Sequence, residues 1–307
     1  MDALAGLLDG PRARNAFLLR SVLVPPWSMR ILDEAPLTLV AVVGGSAWIE
    51  LDGGGSTRIG RGEVAIVCGP GHYTVADDPG TAPQIAIHPG QRCTTMDGAE
   101  VYQEMDLGVR TWGNSPDGGT VLLTGTYNFE GEVSRRLLRA LPALITMTGD
   151  GPLIALLTAE IGKDDPGQEL VLDRMLDLLL VHTLRAWLAS PGSGAPAWYQ
   201  ADADPVVGRA LKMIHHSPAH PWTVASLADR SGASRAVFAR RFHELVGEPP
   251  MAFLTGWRLA LAADLLRESD ATIGSVAQQV GYGSAFALSA AFKRVRGVSP
   301  QQYRLAG

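Results

Sequence analysis

Cysteine is scarce in this chain: Cys68 and Cys93 are the only two in 307 residues. At most one internal disulfide can form, and a reducing cytoplasmic setting is the simpler expectation. Long apolar runs are missing too. The most apolar stretch, residues 175–188, is broken by Asp177, His182 and Arg185, which leaves it too short and too charged to span a bilayer. The opening MDALAGLLDGPRARNAF carries an early acid and no sustained apolar region, so no secretory signal is expected. There is no low-complexity tract. With 46% hydrophobic and 19% charged residues the composition is that of an ordinary globular chain, long enough for two domains with separate cores.

The net charge of −5 is unevenly distributed. Residues 204–307 hold twelve Lys and Arg against seven Asp and Glu, whereas residues 1–203 hold fourteen against twenty-four. A basic C-terminal part joined to an acidic N-terminal part implies that only the former approaches a polyanion.

Up to about residue 125 the pattern is one of short strands between Gly/Pro turns. Residues 38–43, 47–51, 63–67 and 84–87 are β-branched or apolar runs, separated by Gly44-Gly45, Gly53-Gly54-Gly55, Gly69-Pro70-Gly71 and Asp78-Pro79-Gly80. Such spacing predicts a small barrel or sandwich. From about Ser134 the apolar period becomes helical. Leu137, Leu138 and Leu141 open one helix, Leu153, Leu156 and Leu157 another. Leu172, Met175, Leu176, Leu179, Leu180, Leu184 and Leu188 then form a broad stripe. This stripe is wider than one face of a small domain needs, so it is expected to serve both the core and a homodimer contact. Residues 191–204 have linker composition, giving an expected division into 1–190, the linker 191–204, and 205–307.

The most informative feature is an internal repeat. TVASLADRSG (223–232) matches TIGSVAQQVG (272–281) at an offset of 49. Beyond the glycine the offset is 50, pairing Ser234 with Ser284, Phe238 with Leu288, Phe242 with Phe292 and Gly247 with Gly297. In each unit a Thr can cap a short helix, a Gly permits a left-handed exit, and a Ser can cap a second helix. That order is the grammar of a helix-turn-helix, whose second helix enters the major groove of double-stranded DNA. The two second helices differ. The first presents Arg235, Ala236, Ala239, Arg240 and Arg241 behind Ser234. The second presents Ala285 and Phe286 behind Ser284, with Lys293 and Arg294 near its end. Arg is the usual bidentate reader of guanine, and late Lys/Arg more often hold phosphate. The first unit should therefore carry most of the base reading.

The stretches LADRSGASRAVFARRFHELVGEPPMAFL and VGYGSAFALSAAFKRVRGVSPQQYR resemble the two halves of the DNA-binding domain of AraC/XylS regulators. The resemblance covers about residues 205–305. It implies an all-α domain that binds near promoters, often as an activator contacting RNA polymerase. GRGEVAIVCGPGHYTVADDPG, LLTGTYNFEG and LLRALPALI resemble the cupin-type sensor domain of one subgroup. The expected fold is thus α+β: an N-terminal cupin-like β-barrel with a C-terminal helical segment, then an all-α domain with two helix-turn-helix motifs.

A metal-dependent cupin enzyme is the alternative reading. It needs closely spaced histidines with an acid, but His72 is followed by Tyr73, no carboxylate comes before Asp77, and His88 is distant. No metal or other cofactor is expected, and catalysis is not. A small-molecule effector is expected in a cavity walled by Trp48, His72, Tyr73 and His88. Cys68 and Cys93 are candidates for a redox pair. Alkylation-response proteins with a similar C-terminal domain need a cysteine cluster, which two cysteines cannot supply. Dimerisation is expected through Leu172, Met175, Leu176, Leu179 and Leu180.

Overall fold

The computed structural model describes residues 17–127, 131–190 and 195–305. The opening segment that bears on a secretory signal, and the first part of the linker, lie outside them. The chain divides into two compact units.

The strand-rich unit holds thirteen strands in two sheets. One sheet has the order β10-β11-β1-β12-β3-β6-β13, built from β10 Asp106–Gly108, β11 Thr111–Gly113, β1 Phe17–Leu23, β12 Thr120–Tyr127, β3 Leu37–Gly44, β6 Glu63–Cys68 and β13 Leu144–Thr148. The other has the order β5-β4-β7-β2-β8-β9, built from β5 Ser56–Gly60, β4 Ser46–Leu51, β7 Tyr73–Ala76, β2 Ser28–Ile31, β8 Ile85–His88 and β9 Arg92–Thr95. Val40, Val42, Ala65 and Leu122 of the first sheet share one core with Ile31, Ala47, Ile49 and Val75 of the second. Alternation along β4 is clear: Ala47 and Ile49 are buried while Glu50 is exposed, as period-two geometry requires. The four runs read as strands from the sequence are β3, β4, β6 and β8. β13 was not expected. It is a short strand in a region of helical period and pairs Leu144–Thr148 with Val67–Glu63.

Two helices follow β13, named here α2 (Gly151–Ile161) and α3 (Gln168–Ala189) because α1 (Glu132–Leu138) precedes the strand. Asp150 caps α2 by accepting from the Leu153 N–H. α3 lies close to β12: the Tyr127 hydroxyl donates to the Leu176 carbonyl at 2.9 Å, and a Cβ on Gly125 would collide with the Leu176 side chain. Leu172, Met175, Leu176, Leu179 and Leu180 are all buried within the single chain. They are therefore core residues of this unit, which corrects the expectation that they form the dimer contact.

The helical unit comprises residues 131–140 and 195–305 among those described. Its elements are α1, α4 (Ala197–Asp202), α5 (Val207–His216), α6 (Val224–Arg230), α7 (Arg235–Val246), α8 (Pro250–Glu268), α9 (Ile273–Gln279), α10 (Ala285–Arg296) and α11 (Pro300–Leu305). Two boundaries differ from expectation. Part of the supposed linker is α4, which packs on α5 and α7. And α1, expected to belong to the N-terminal domain, packs on α8. No described helix is long and apolar enough to cross a membrane.

Candidate nucleic-acid interface and ligand cavity

Each repeat forms the pattern its residues dictate. Thr223 Oγ1 accepts from the Ser226 N–H at 3.0 Å and Ser226 Oγ accepts from the Thr223 N–H at 2.9 Å, a reciprocal cap on α6. In the second unit Thr272 Oγ1 accepts from the Ser275 N–H at 3.2 Å. Gly232 and Gly281 take the turn at φ +75° and +84°, a region that L-residues with a Cβ rarely adopt. Ser234 and Ser284 then cap α7 and α10 by accepting from the N–H groups of Val237 and Ala287. Behind the caps, Phe238 and Phe242 of α7 and Leu288 and Phe292 of α10 are fully buried. They fix which face of each helix points outward.

On α7 that outward face carries Arg235 and Ala236, both exposed, with Ala239 half-buried beside them. The Arg240 side chain is 73% exposed, and its nearest acid is Glu244 one turn on at 3.8 Å. Such a pair is too long and too solvated to immobilise it. Arg241 differs. Its Nη2 lies 2.5 Å from Asp204 Oδ2 and its Nε donates to the same oxygen at 2.7 Å. Burial pushes the Asp204 carboxyl up, but the N–H groups of Val207 and Val206 and the Arg241 guanidinium outweigh it and leave the carboxyl below its usual range. Arg241 thus ties α7 to the start of α5, a structural role beside the DNA contact expected of it.

On α10, Ala285 is exposed, Phe286 is 83% exposed, and Lys293 and Arg294 are exposed near the C-terminal end. Arg296 points elsewhere, to Glu132 of α1.

In the strand-rich unit a cavity of about 50 Å³ lies between the sheets. Leu19, Val40 and Leu122 wall it on one side, Met29, Ile31 and Val75 on the other. Its polar groups include Asp33, Thr38, Tyr73 and Thr124. The Tyr73 hydroxyl is held well above its ordinary pKa by burial, in spite of a hydrogen bond with Thr38. Burial likewise raises Asp33. The indole Nε1–H of Trp112, another wall residue, is buried with no acceptor among the described residues.

Of the four expected effector residues only Tyr73 lines this cavity. Trp48 stands on the opposite face of β4 from the buried Ala47 and Ile49. His72 is near Glu34 at 3.9 Å with an exposed ring, and His88 Nε2 is hydrogen-bonded to Thr94 Oγ1 at 2.9 Å. These three are corrected to surface and edge positions. No group of three or more His, Cys, Asp and Glu among the described residues is placed to hold a metal ion. Both cysteines are free thiols. They lie on different sheets, and burial pushes Cys68 up to about 12 and Cys93 up to about 11. A pair kept in the neutral thiol form is poorly suited to redox switching.

A family model described as a cupin matches residues 2–189, and one described as a helix-turn-helix domain matches residues 227–306. An AraC-like transcription regulator of Streptomyces lividans is 33% identical across 99% of this chain and 98% of its own length. The HTH-type transcriptional regulator AlkR of Acinetobacter baylyi is 31% identical across 99% of each chain. Among solved structures, the DNA-binding domain of AdpA in complex with a target DNA is 36% identical, covering 34% of this chain and 93% of that one, with a TM-score of 0.32.

Proposed function

The chain belongs to the AraC-like family of DNA-binding transcriptional regulators, with an N-terminal cupin domain, and we propose that this domain senses a small organic effector held between its two sheets. The observation that carries this reading is the cavity itself. Its walls come from both sheets, and one wall residue, Trp112, has a buried indole N–H without an acceptor among the described residues. An orphaned buried donor costs about 1–3 kcal/mol, and a ligand acceptor would recover that. Among the described residues no lysine, arginine or histidine lines the cavity and most of its wall is apolar, which supports an uncharged, mainly apolar effector with a hydrogen-bond acceptor.

DNA reading falls to Arg235 and Arg240 in the first unit and to Phe286 in the second, with Lys293 and Arg294 on phosphate. The protein acts as a homodimer in the cytoplasm and as an activator that meets RNA polymerase beside its site. The dimer contact uses side chains that α2 and α3 leave bare: Leu156, Val171 and Leu178. A ligand changes DNA binding only by its difference in affinity between two arrangements of the protein.

The test has two arms. Sequencing the genomic fragments that the purified protein retains defines the operator. A thermal-shift screen of uncharged metabolites then finds compounds that raise the melting temperature of the wild type but not of Trp112→Phe. If only anionic compounds stabilise the protein, the cavity assignment is wrong.

A further inference from the structure

α1 is a seven-residue helix whose place in the chain and place in the fold do not match. In sequence it lies between β12 and β13 of the strand-rich unit, yet it is packed in the helical unit. There it touches three elements that matter for DNA binding. Asp264, in the middle of α8, caps it by accepting from the N–H groups of Glu132 and Val133 at 2.5 and 3.1 Å. Glu132, only 7% exposed, takes Arg296 at 2.6 Å from the end of α10 and accepts from the Tyr303 hydroxyl at 3.3 Å. One turn on, Arg136 pairs with Glu248 at 3.0 Å, just past the end of α7, and its guanidinium lies 4.8 Å from the centre of the Phe253 ring.

The charges are matched in sign and position. Glu132 and Arg136 are spaced i, i+4 and therefore share one face of α1. The acid meets the cation that ends the second reading helix, and the cation meets the acid that ends the first. Burial pushes the Glu132 carboxyl up, but Arg296 and Arg135 more than offset this and hold it below its ordinary value. The internal repeat strengthens the point. At the offset of 50, Arg296 corresponds to Val246, a half-buried apolar residue. The second repeat thus carries a cation where the first carries valine, and this cation turns to α1.

We propose that α1 is a positioning element for DNA binding: through Glu132 and Arg136 it clamps the ends of α10 and α7 and so fixes the separation of the two reading helices. Two reading heads on one duplex form a bivalent system. Rigid connection raises the effective concentration of the second head at a matched spacing and abolishes it at a mismatched one, whereas a loose connection tolerates both. This spacing role does not rest on the sensing role proposed above, and its test uses no effector.

The experiment uses the full chain and a duplex selected by the wild type from a random-sequence library. Two further duplexes carry one or two extra base pairs between the two segments that the reading helices of one protomer occupy, turning one segment by about 34° per base pair. The wild type is expected to lose about tenfold in affinity or more on the altered duplexes. Glu132→Gln and Arg136→Met are expected to lose less than about threefold, while binding the original site several-fold more weakly. Arg136 and Glu248 are both partly solvated, so Arg136→Met keeps the test open should Glu132→Gln fail to fold. If Arg136→Met, with an unchanged melting temperature, retains the full wild-type spacing penalty, the clamp does not exist.

Discussion

Arg240 and Arg241 are neighbours on α7 with opposite duties: Arg241 is anchored on Asp204 at 2.5 Å, and Arg240 projects into solvent. On the reading proposed above, the pair separates DNA reading from folding within two residues. Arg240→Ala should lower affinity for the operator by about 1–3 kcal/mol, with the melting temperature unchanged. Arg241→Ala should cost about 1 kcal/mol of stability, because Asp204 loses its cation. Titration binding and thermal melts on both variants check this. Equal losses of affinity without any change in melting would place both arginines on DNA.

Thiol reactivity tests the burial of the two cysteines. With Cys68 at about 12 and Cys93 at about 11, both stay protonated at neutral pH, and only the thiolate attacks an alkylating reagent. Folded protein should therefore react slowly with iodoacetamide at pH 7.5, and the rate should climb about tenfold per pH unit up to pH 10. A plateau near pH 8 would mean that one thiol is ordinary and accessible. Mass spectrometry of the alkylated peptides assigns the site.

Leu122 is the third residue of β12, fully buried, and lines the cavity. Leu122→Ala should destabilise the strand-rich unit by about 2–5 kcal/mol through lost burial and enlarged empty space. Small apolar compounds should then stabilise the variant more than the wild type, since they refill the volume removed. Calorimetry with and without such compounds measures both effects. A cost below about 1 kcal/mol would mean that the site has collapsed.

What the sequence disclosed depended on how local the governing physics is. Caps and turns are local: Thr223, Gly232 and Ser234 state their roles within a dozen residues, and their counterparts at Thr272, Gly281 and Ser284 repeat them. The strand pattern was equally readable in β3 and β4, where turns bracket alternating runs. The cavity was not. Period two assigns residues to faces, but it does not say which sheet lies opposite, so Trp48, His72 and His88 stood out by chemistry while Trp112 and Asp33 did not. The packing of α1 in the helical unit was hidden for a stronger reason. Glu132 meets Arg296, more than 160 residues away, and no spacing rule reports such a pair. The leucine stripe on α3 gave its period correctly but not its partner, because an apolar face looks the same against its own sheet and against another protomer.

That ambiguity yields the remaining prediction. With Leu172, Met175, Leu176, Leu179 and Leu180 consumed by the core, a dimer built on α3 must use what that helix leaves exposed. Val171 and Leu178, 43% and 56% exposed, lie seven residues apart and therefore on one face. Arg174 falls between them, paired with Asp177 on the same helix. Charging this face penalises a contact between copies without touching the protomer core. Val171→Glu combined with Leu178→Glu should convert a dimer to a species near the 32.6 kDa chain mass in multi-angle light scattering, at an unchanged melting temperature. Affinity for a two-part operator should fall by about a hundredfold as the second protomer's contribution is lost. A doubly charged variant that still elutes at twice the chain mass would move the interface off α3.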